Sequence, residues 1–467
     1  MRTLDGLRVR LAARTARRAH GLTRRVSLAC LLLPLLVSCT DVSLVPQSNL
    51  QMDPAVLAQM NQDSDRMIVV TVANPSESVP MLAGTTAGGY DGAPGYAAYG
   101  SARATVAAIA RDYGLREVMA WPIVQLQVHC AVFEVAGNST RADVLAKLAQ
   151  DRRVKLAQPL QSFRTLGLPA APAYDENYVN LERGLHDIGA PAAQRITQGQ
   201  GVRVAVIDTG VDTAHPDLAG RIALTRDFVE RDDTLFNHDV HGTAVAGVIA
   251  ANPDNGHGII GVAPRAKILA LKACWQTPSA GGGAPGPSIC NSLTLAQALA
   301  VASESHAQVI NLSLSGPPDP LLTQLVEYCL RHGAIVVGAV PPNGDLHAFP
   351  VGIAHVIAAD MSASGTSASG TSASGAAGEV IYAPGRDVLT LTPGGHYDFL
   401  SGSSFSAAYV SGIAALLLAV NPSLDATQVY AALKASAADG GAKQTVNACN
   451  ALSAVAAGAC TTINVAR

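Results

Sequence analysis

In Val204-Ala205-Val206-Ile207-Asp208-Thr209-Gly210 an apolar strand runs into a carboxylate and then a turn. Outward from it, short β-branched runs at 202–207, 268–271, 309–314, 335–337 and 356–359 alternate with helical stretches. Such alternation predicts an α/β domain, a parallel sheet with helices on both faces. In an open parallel sheet ligands gather at the carboxyl ends of the strands, which is where Asp208 falls.

Upstream the pattern changes. Residues 67–72 read as a strand, 102–113 as a helix, 123–135 as one or two strands around a turn, and 141–150 as a second helix; 154–163 closes the set. This β-α-β-β-α-β order predicts a small ferredoxin-like α+β unit, a fold that serves many functions. A Pro/Ala segment at 168–173 separates it from the longer domain. Ser362 to Gly375 repeats Ser-Ala-Ser-Gly-Thr and reads as a surface loop without core-forming side chains.

The first 38 residues carry eight Arg and one Asp and contain an apolar stretch at 26–37, the layout of a secretory signal. It ends Leu36-Val37-Ser38-Cys39, which resembles a bacterial lipobox, so Cys39 is the expected lipidation site. Thr40 in place of Asp directs the expectation to the outer membrane or periplasm. The organisation expected is a signal peptide at 1–38, a tether at 39–66, the small domain at 67–167, a linker at 168–180 and the large domain at 181–467. Without the leader, 24 basic residues face 34 acidic ones, which argues against a nucleic-acid partner. Charged residues make up 14% of the chain and aromatics 4%, a small-residue globular composition. For an exported chain, six cysteines remain available for disulfides. Proximity pairs Cys274 with Cys290 and Cys449 with Cys460, leaving Cys130 and Cys329 as a long-range pair or as buried thiols.

Three polar residues stand at strand or helix ends. Asp208 closes the strand above. His241 leads the small-residue helix His241-Gly242-Thr243-Ala244-Val245-Ala246-Gly247. Ser404 lies in Gly402-Ser403-Ser404-Phe405-Ser406, ahead of an apolar helix whose N-terminal dipole favours a developing negative charge. Alone, each has a plainer reading: a turn former, a structural His, a helix cap. Together, in the chain order Asp, His, Ser, they resemble the subtilisin-like serine proteases, over about residues 199 to 418. His215-Pro216-Asp217-Leu218, Gly261-Val262-Ala263-Pro264, Asn311-Leu312-Ser313-Leu314-Ser315-Gly316 and Ala383-Pro384-Gly385 carry the same resemblance.

The resemblance implies a serine endopeptidase acting on polypeptides through an acyl-enzyme. Ser404 is its nucleophile, His241 its general base and Asp208 the residue that orients the imidazole. It implies that Ser313, Leu314, Ser315 and Gly316 pair with an extended substrate. It also implies that the small domain is an inhibitory propeptide whose tail, 158–166, lies in the cleft, with processing between Thr165 and Asn180. Cys39 lies on the propeptide side of that cut, so cleavage would free the protease from the membrane unless tight binding or a Cys130–Cys329 bridge retained it. No cofactor is required. Asp254 and Asn255 are where some family members have a calcium loop, though a turn explains them equally. His238, Asp239 and His241 lack the third standard ligand of a metal site. The departures are specific. The expected oxyanion-hole Asn arrives one position late, as Asn343 behind Pro341 and Pro342, and Ser403, Phe405, Ala408, Tyr409 and Ala244 replace familiar neighbours of the Ser and His. They support a second expectation, a pseudoprotease that binds peptides or proteins at the cell envelope without useful turnover.

Overall fold

β1 (Met67–Ala73), α1 (Gly100–Tyr113), β2 (Leu115–Ile123), β3 (Val128–Val135), α2 (Arg141–Leu148) and β4 (Val154–Pro159) build a four-stranded antiparallel sheet of order β2-β3-β1-β4. The computed structural model describes residues 56–57, 59–60, 63–75, 100–137, 139–166, 178–229, 236–252, 258–277, 288–362, 380–437, 444–456 and 460. All of them belong to one compact unit, Pro46–Arg467. Ile68, Val70 and Val72 pack with Ala131 and Phe133 under Val106, Ile109, Val144 and Leu148 of the two helices. Met67, Val69, Cys130 and Val132 share the other face with Trp121 and Ile123, and there they join the core of the large domain through Leu321, Leu322 and Leu325. Burial on both faces is why β1 is apolar at nearly every position rather than alternately. β2 begins eight residues before the strand expected from residue 123. Its Arg116, Glu117 and Pro122 hide the pattern, and an edge strand tolerates all three.

β5 (Ser162–Thr165) leaves this sheet for another. α3 (Arg183–Asp187) and α4 (Ala190–Ala193) lead into the large domain: β6 (Arg203–Asp208), β7 (Ile222–Asp227), α5 (Val240–Ala250), β8 (Lys267–Lys272), β9 (Cys274–Gln276), β10 (Ser288–Asn291), α6 (Ser292–Glu304), β11 (Val309–Leu312), β12 (Leu314–Ser315) and α7 (Pro320–Arg331). β13 (Ile335–Ala339), β14 (Ile357–Met361), β15 (Ile381–Ala383), the hairpin β16 (Val388–Thr392) and β17 (His396–Leu400), α8 (Ser403–Val420), α9 (Ala426–Ser436) and α10 (Ala448–Val455) follow.

Seven strands form the central sheet in the order β15-β14-β13-β11-β6-β8-β7, every neighbouring pair parallel. The chain runs from β6 to β8 and β7 on one side and to β11 and beyond on the other. Asp208 therefore ends the strand at the topological switch point, where an α/β sheet opens a crevice. Val204 and Val206 face one core with α5 and α8; Ala205 and Ile207 face the other with α6 and α7. α8 is long and apolar enough to cross a membrane, but 89% of that stretch is buried inside the fold. Its small residues allow the close packing: a Cβ on Gly412 would stand 2.5 Å from Val262 Cβ.

A second sheet, β12-β5-β10-β9, lies beside the first. Its β5 comes from the end of the small domain and is held between two strands of the large one.

Candidate active site

Asp208 Oδ1 lies 2.8 Å from His241 Nδ1, in a pocket where Asp208 is 1% exposed. The same oxygen accepts the Thr209 N–H at 2.7 Å, which fixes the carboxylate; Oδ2 has no hydrogen-bond partner among the described residues. His241 sits in the first turn of α5, and Gly242 is what lets that turn approach β6. A Cβ there would collide with the Gly210 carbonyl and stand 3.2 Å from Asp208 Cβ. Thr209 Oγ1 accepts the Gly242 N–H at 3.2 Å, and Asp212 N–H donates to Thr243 Oγ1 at 2.9 Å, so the His-Gly-Thr run is pinned residue by residue. With Nδ1–H given to the carboxylate, Nε2 holds the lone pair, and no described group occupies it.

Ser404 lies in the first turn of α8, which is tied down on three sides. Ser403 Oγ donates to Val340 O at 2.6 Å, Gly402 N–H to Gly385 O at 2.7 Å, and Ser406 Oγ to Pro384 O at 3.1 Å. The Ala383-Pro384-Gly385 motif is therefore a seat for this helix end, and Gly385 leaves room for the Ser406 hydroxyl. Ser404 Oγ donates to Ser313 O at 3.1 Å, and Ser313 Oγ lies 2.9 Å from Ser404 O.

The chain's own β5 covers Ser404. Thr165 pairs with Leu314 and Arg164 with Ser315 on one side; Arg164, Phe163 and Ser162 pair with Ile289, Cys290 and Asn291 on the other. Leu166 N–H donates to Ser313 O at 3.2 Å, and Leu166 O accepts the Ser404 N–H at 3.3 Å. Gly316 lies under the Phe163 ring, where any Cβ would collide, and Phe349 meets that ring edge-on at 5.2 Å. Ser313, Leu314, Ser315 and Gly316, expected to pair with an extended peptide, are thus brought against one. The opposite wall, β10, and Phe349 were not legible: Ser-Ile-Cys-Asn has neither length nor periodicity, and its Cys was its one signal.

Asn343 is bonded within its own turn. Pro341 to Gly344 form a turn closed by the Gly344 N–H to Pro341 O bond at 2.8 Å, with Gly344 at φ +71°. Asn343 is exposed there, and its Oδ1 accepts the Asp345 N–H at 3.2 Å. Two prolines direct the chain out of β13 before the carboxamide, so the structure joins Asn343 to neither Ser404 nor Leu166 O.

The His-Pro-Asp-Leu motif is a brace. His215 Nδ1 accepts the Asp217 N–H at 3.1 Å, and Asp217 takes the Tyr397 hydroxyl at 3.0 Å and the Ile259 N–H at 2.9 Å. Beside it, burial pushes the Glu182 carboxyl up to about 8, with Asp217 adding to the effect and the Ile260 N–H opposing it. Tyr397 is raised by burial and by Asp217. Among the described residues no group of three or more His, Cys, Asp or Glu is placed to hold a metal. His238 is exposed, and Asp239 pairs with Lys272. Cys39, Asp254 and Asn255 lie outside the described residues. Cys274–Cys290 and Cys449–Cys460 are disulfides; Cys130 and Cys329 are free, buried thiols, so no bridge joins them across the domains.

The subtilase family model matches residues 199–451. Thermitase of Thermoactinomyces vulgaris is 34% identical over 267 residues, 56% of this chain and 90% of the relative. Subtilisin BL of Lederbergia lenta is 36% identical over 257 residues, 54% and 90%. The thermophilic serine proteinase of Bacillus sp. (strain AK1) is 34% identical over 277 residues, 59% of this chain, which spans 65% of that relative's length. Among solved structures, fervidolysin of Fervidobacterium pennivorans, described as a keratinolytic enzyme related to subtilisin, matches with a TM-score of 0.62 at 24% identity over 83% of this chain and 60% of its own. That last match speaks to the fold.

Proposed function

The chain belongs to the subtilase family, and on that premise we propose that it is a serine endopeptidase with the triad Asp208, His241 and Ser404, made as a precursor that inhibits itself. The observation that carries this reading is the carbonyl of Leu166, held on the Ser404 N–H by a five-residue extended segment.

In the reaction Ser404 Oγ turns from Ser313 O toward His241 Nε2, gives up its proton and attacks the carbonyl. The Ser404 N–H at the start of α8 then donates to the oxyanion. Asp208, already bonded to Nδ1, stabilises the imidazolium that forms. The imidazolium protonates the departing amine, leaving an acyl-enzyme that water hydrolyses through the same His. Main-chain pairing to Ser313, Leu314, Ser315 and Gly316 supplies binding that tolerates many sequences, which suits a polypeptide substrate.

The small domain at 67–167 is read as the propeptide. Its tail supports this by occupying the groove, and its sheet supports it by sharing a core with α7. The bond it presents is Leu166–Gly167. The leader reading adds export and lipidation at Cys39, hence a precursor at the cell envelope. After the cut the anchor remains with the propeptide, and the shared apolar core is what would retain the protease there. Asn343 favours one other reading, a pseudoprotease that binds peptides without useful turnover, since its carboxamide oxygen is bonded within its own turn and it stands one position late in the sequence.

A fluorophosphonate probe with intact-mass measurement, on chain lacking Cys39 and beside a Ser404→Ala control, tests the proposal. One adduct on Ser404 and a cut after Leu166 missing from the control support it. A natively folded, uncut and unlabelled protein, still unlabelled once the propeptide is stripped, establishes the pseudoprotease.

A further inference from the structure

A second ion pair runs beside the first. Asp208 and Lys272 are register partners on β6 and β8, so their side chains leave the same face of the sheet, and Asp227 on β7 extends the row across a third strand. Asp208 reaches His241 in the first turn of α5; Lys272 reaches Asp239, the N-cap of the same helix. Lys272 is 2% exposed, and an ammonium so buried is costly unless it is paired.

Asp239 caps α5 without the usual side-chain bond. An aspartate at an N-cap ordinarily accepts an N–H of its own helix, yet Asp239 makes no such bond. Thr209, next to Asp208, takes the Gly242 N–H instead. The Asp239 carboxylate pairs with Lys272, two residues before His241.

We infer that Lys272 and Asp239 are positioning residues for His241: the pair holds the first turn of α5 against the strand ends and balances the charge around the imidazole. This rests on the triad reading. Among the described residues, Asp208 from β6 bonds His241, Lys272 from β8 bonds Asp239, Asp212 from the loop after β6 donates its N–H to Thr243, and Asp227 on β7 is the register partner of Lys272; His238 is exposed before the helix. Among the described residues Lys272 is the cation beside these carboxylates. Without it, Asp239 favours the imidazolium; without Asp239, Lys272 opposes it.

The test reads the imidazole directly. In full-length Ser404→Ala chain, which cannot cut itself, the His241 ring carbon–proton resonance is titrated by NMR and assigned by its loss in His241→Gln. Lys272→Met should move the His241 midpoint up and Asp239→Asn should move it down, each by about one pH unit, with the double variant returning close to the parent. In the Ser404 background the same limb shifts should appear in the pH profile of peptide hydrolysis, with kcat falling about tenfold or more and KM changing little. Removing one partner of a buried pair can prevent folding, whereas the neutral double variant keeps the volume and removes both charges. If Lys272→Met does not fold, Asp239→Asn and the double variant still give the two midpoints. Equal midpoints in the folded variants, or shifts of the same sign, overturn the inference. Failure of the protease reading shows instead as an inert Ser404 chain, whose imidazole titration still decides the role of the pair.

Discussion

Leu166 O and Ser404 N are 3.3 Å apart, and on the proposed protease reading that contact makes the segment ending at Leu166 a defined substrate. On that reading the bond after Leu166 is the one proposed for cleavage within the expected interval 165–180. The new C-terminus of the released propeptide should be Leu166 by mass spectrometry. Leu166→Pro removes the N–H that donates to Ser313 O and should slow self-cleavage at least tenfold, or move it to another bond. Unchanged cleavage after residue 166 in that variant would mean the segment is held by something other than its pairing.

Phe163 fills the space above Gly316 completely; it is 0% exposed. Gly316→Ala places a methyl where the ring lies. Among peptide substrates it should reduce kcat/KM for Phe at the fourth residue before the cut by about tenfold relative to Ala there, a difference of about 1.4 kcal/mol. The propeptide, which carries that Phe, should inhibit the variant more weakly. Equal loss for both peptides would place the damage in the strand rather than in the pocket.

Much of this groove could be read in advance because its parts are local. Asp208 follows an apolar run, His241 and Ser404 each lead a helix of small residues, and Ser313 to Gly316 follow β11 directly. What could not be read depends on long-range pairing. β10 gains its identity only by lying beside β5, and β2 reads as polar until its place at the sheet edge is known. Lys272 looks like the soluble end of a strand, yet the fold buries it against an aspartate 33 residues upstream. β5 was legible only as the tail of a longer strand, since a change of sheet between residues 159 and 162 leaves no periodic mark.

Asn343 gives the clearest quantitative contrast. A subtilisin that loses its oxyanion-hole asparagine loses about 10²- to 10³-fold in turnover. Here the carboxamide serves the Pro341–Gly344 turn, so Asn343→Ala should change kcat by less than about threefold and cost stability on the scale of one exposed hydrogen bond, about 0.5–1 kcal/mol. A hundredfold loss in kcat with KM unchanged would show that the turn reorganises and delivers Asn343 to the reacting carbonyl.

Glu182 predicts how stability responds to pH. Its carboxyl is buried and accepts the Ile260 N–H at 3.0 Å, and in the folded chain its pKa is pushed up to about 8. Below the ordinary value of about 4.5 both folded and unfolded chains hold the proton, and this group is neutral to stability. As pH rises toward 8 the unfolded chain releases the proton while the folded one keeps it. Stability then falls through that window, by on the order of a few kcal/mol, and levels off above it. Gln has the shape of the protonated acid and still offers an oxygen to Ile260. Melts of Glu182→Gln and the parent, both carrying Ser404→Ala to prevent self-cleavage, should nearly coincide at pH 4.5, with the variant melting several degrees higher at pH 8. A gap that does not widen with pH would show that Glu182 is already ionised in the fold, stabilised by a partner beyond Ile260.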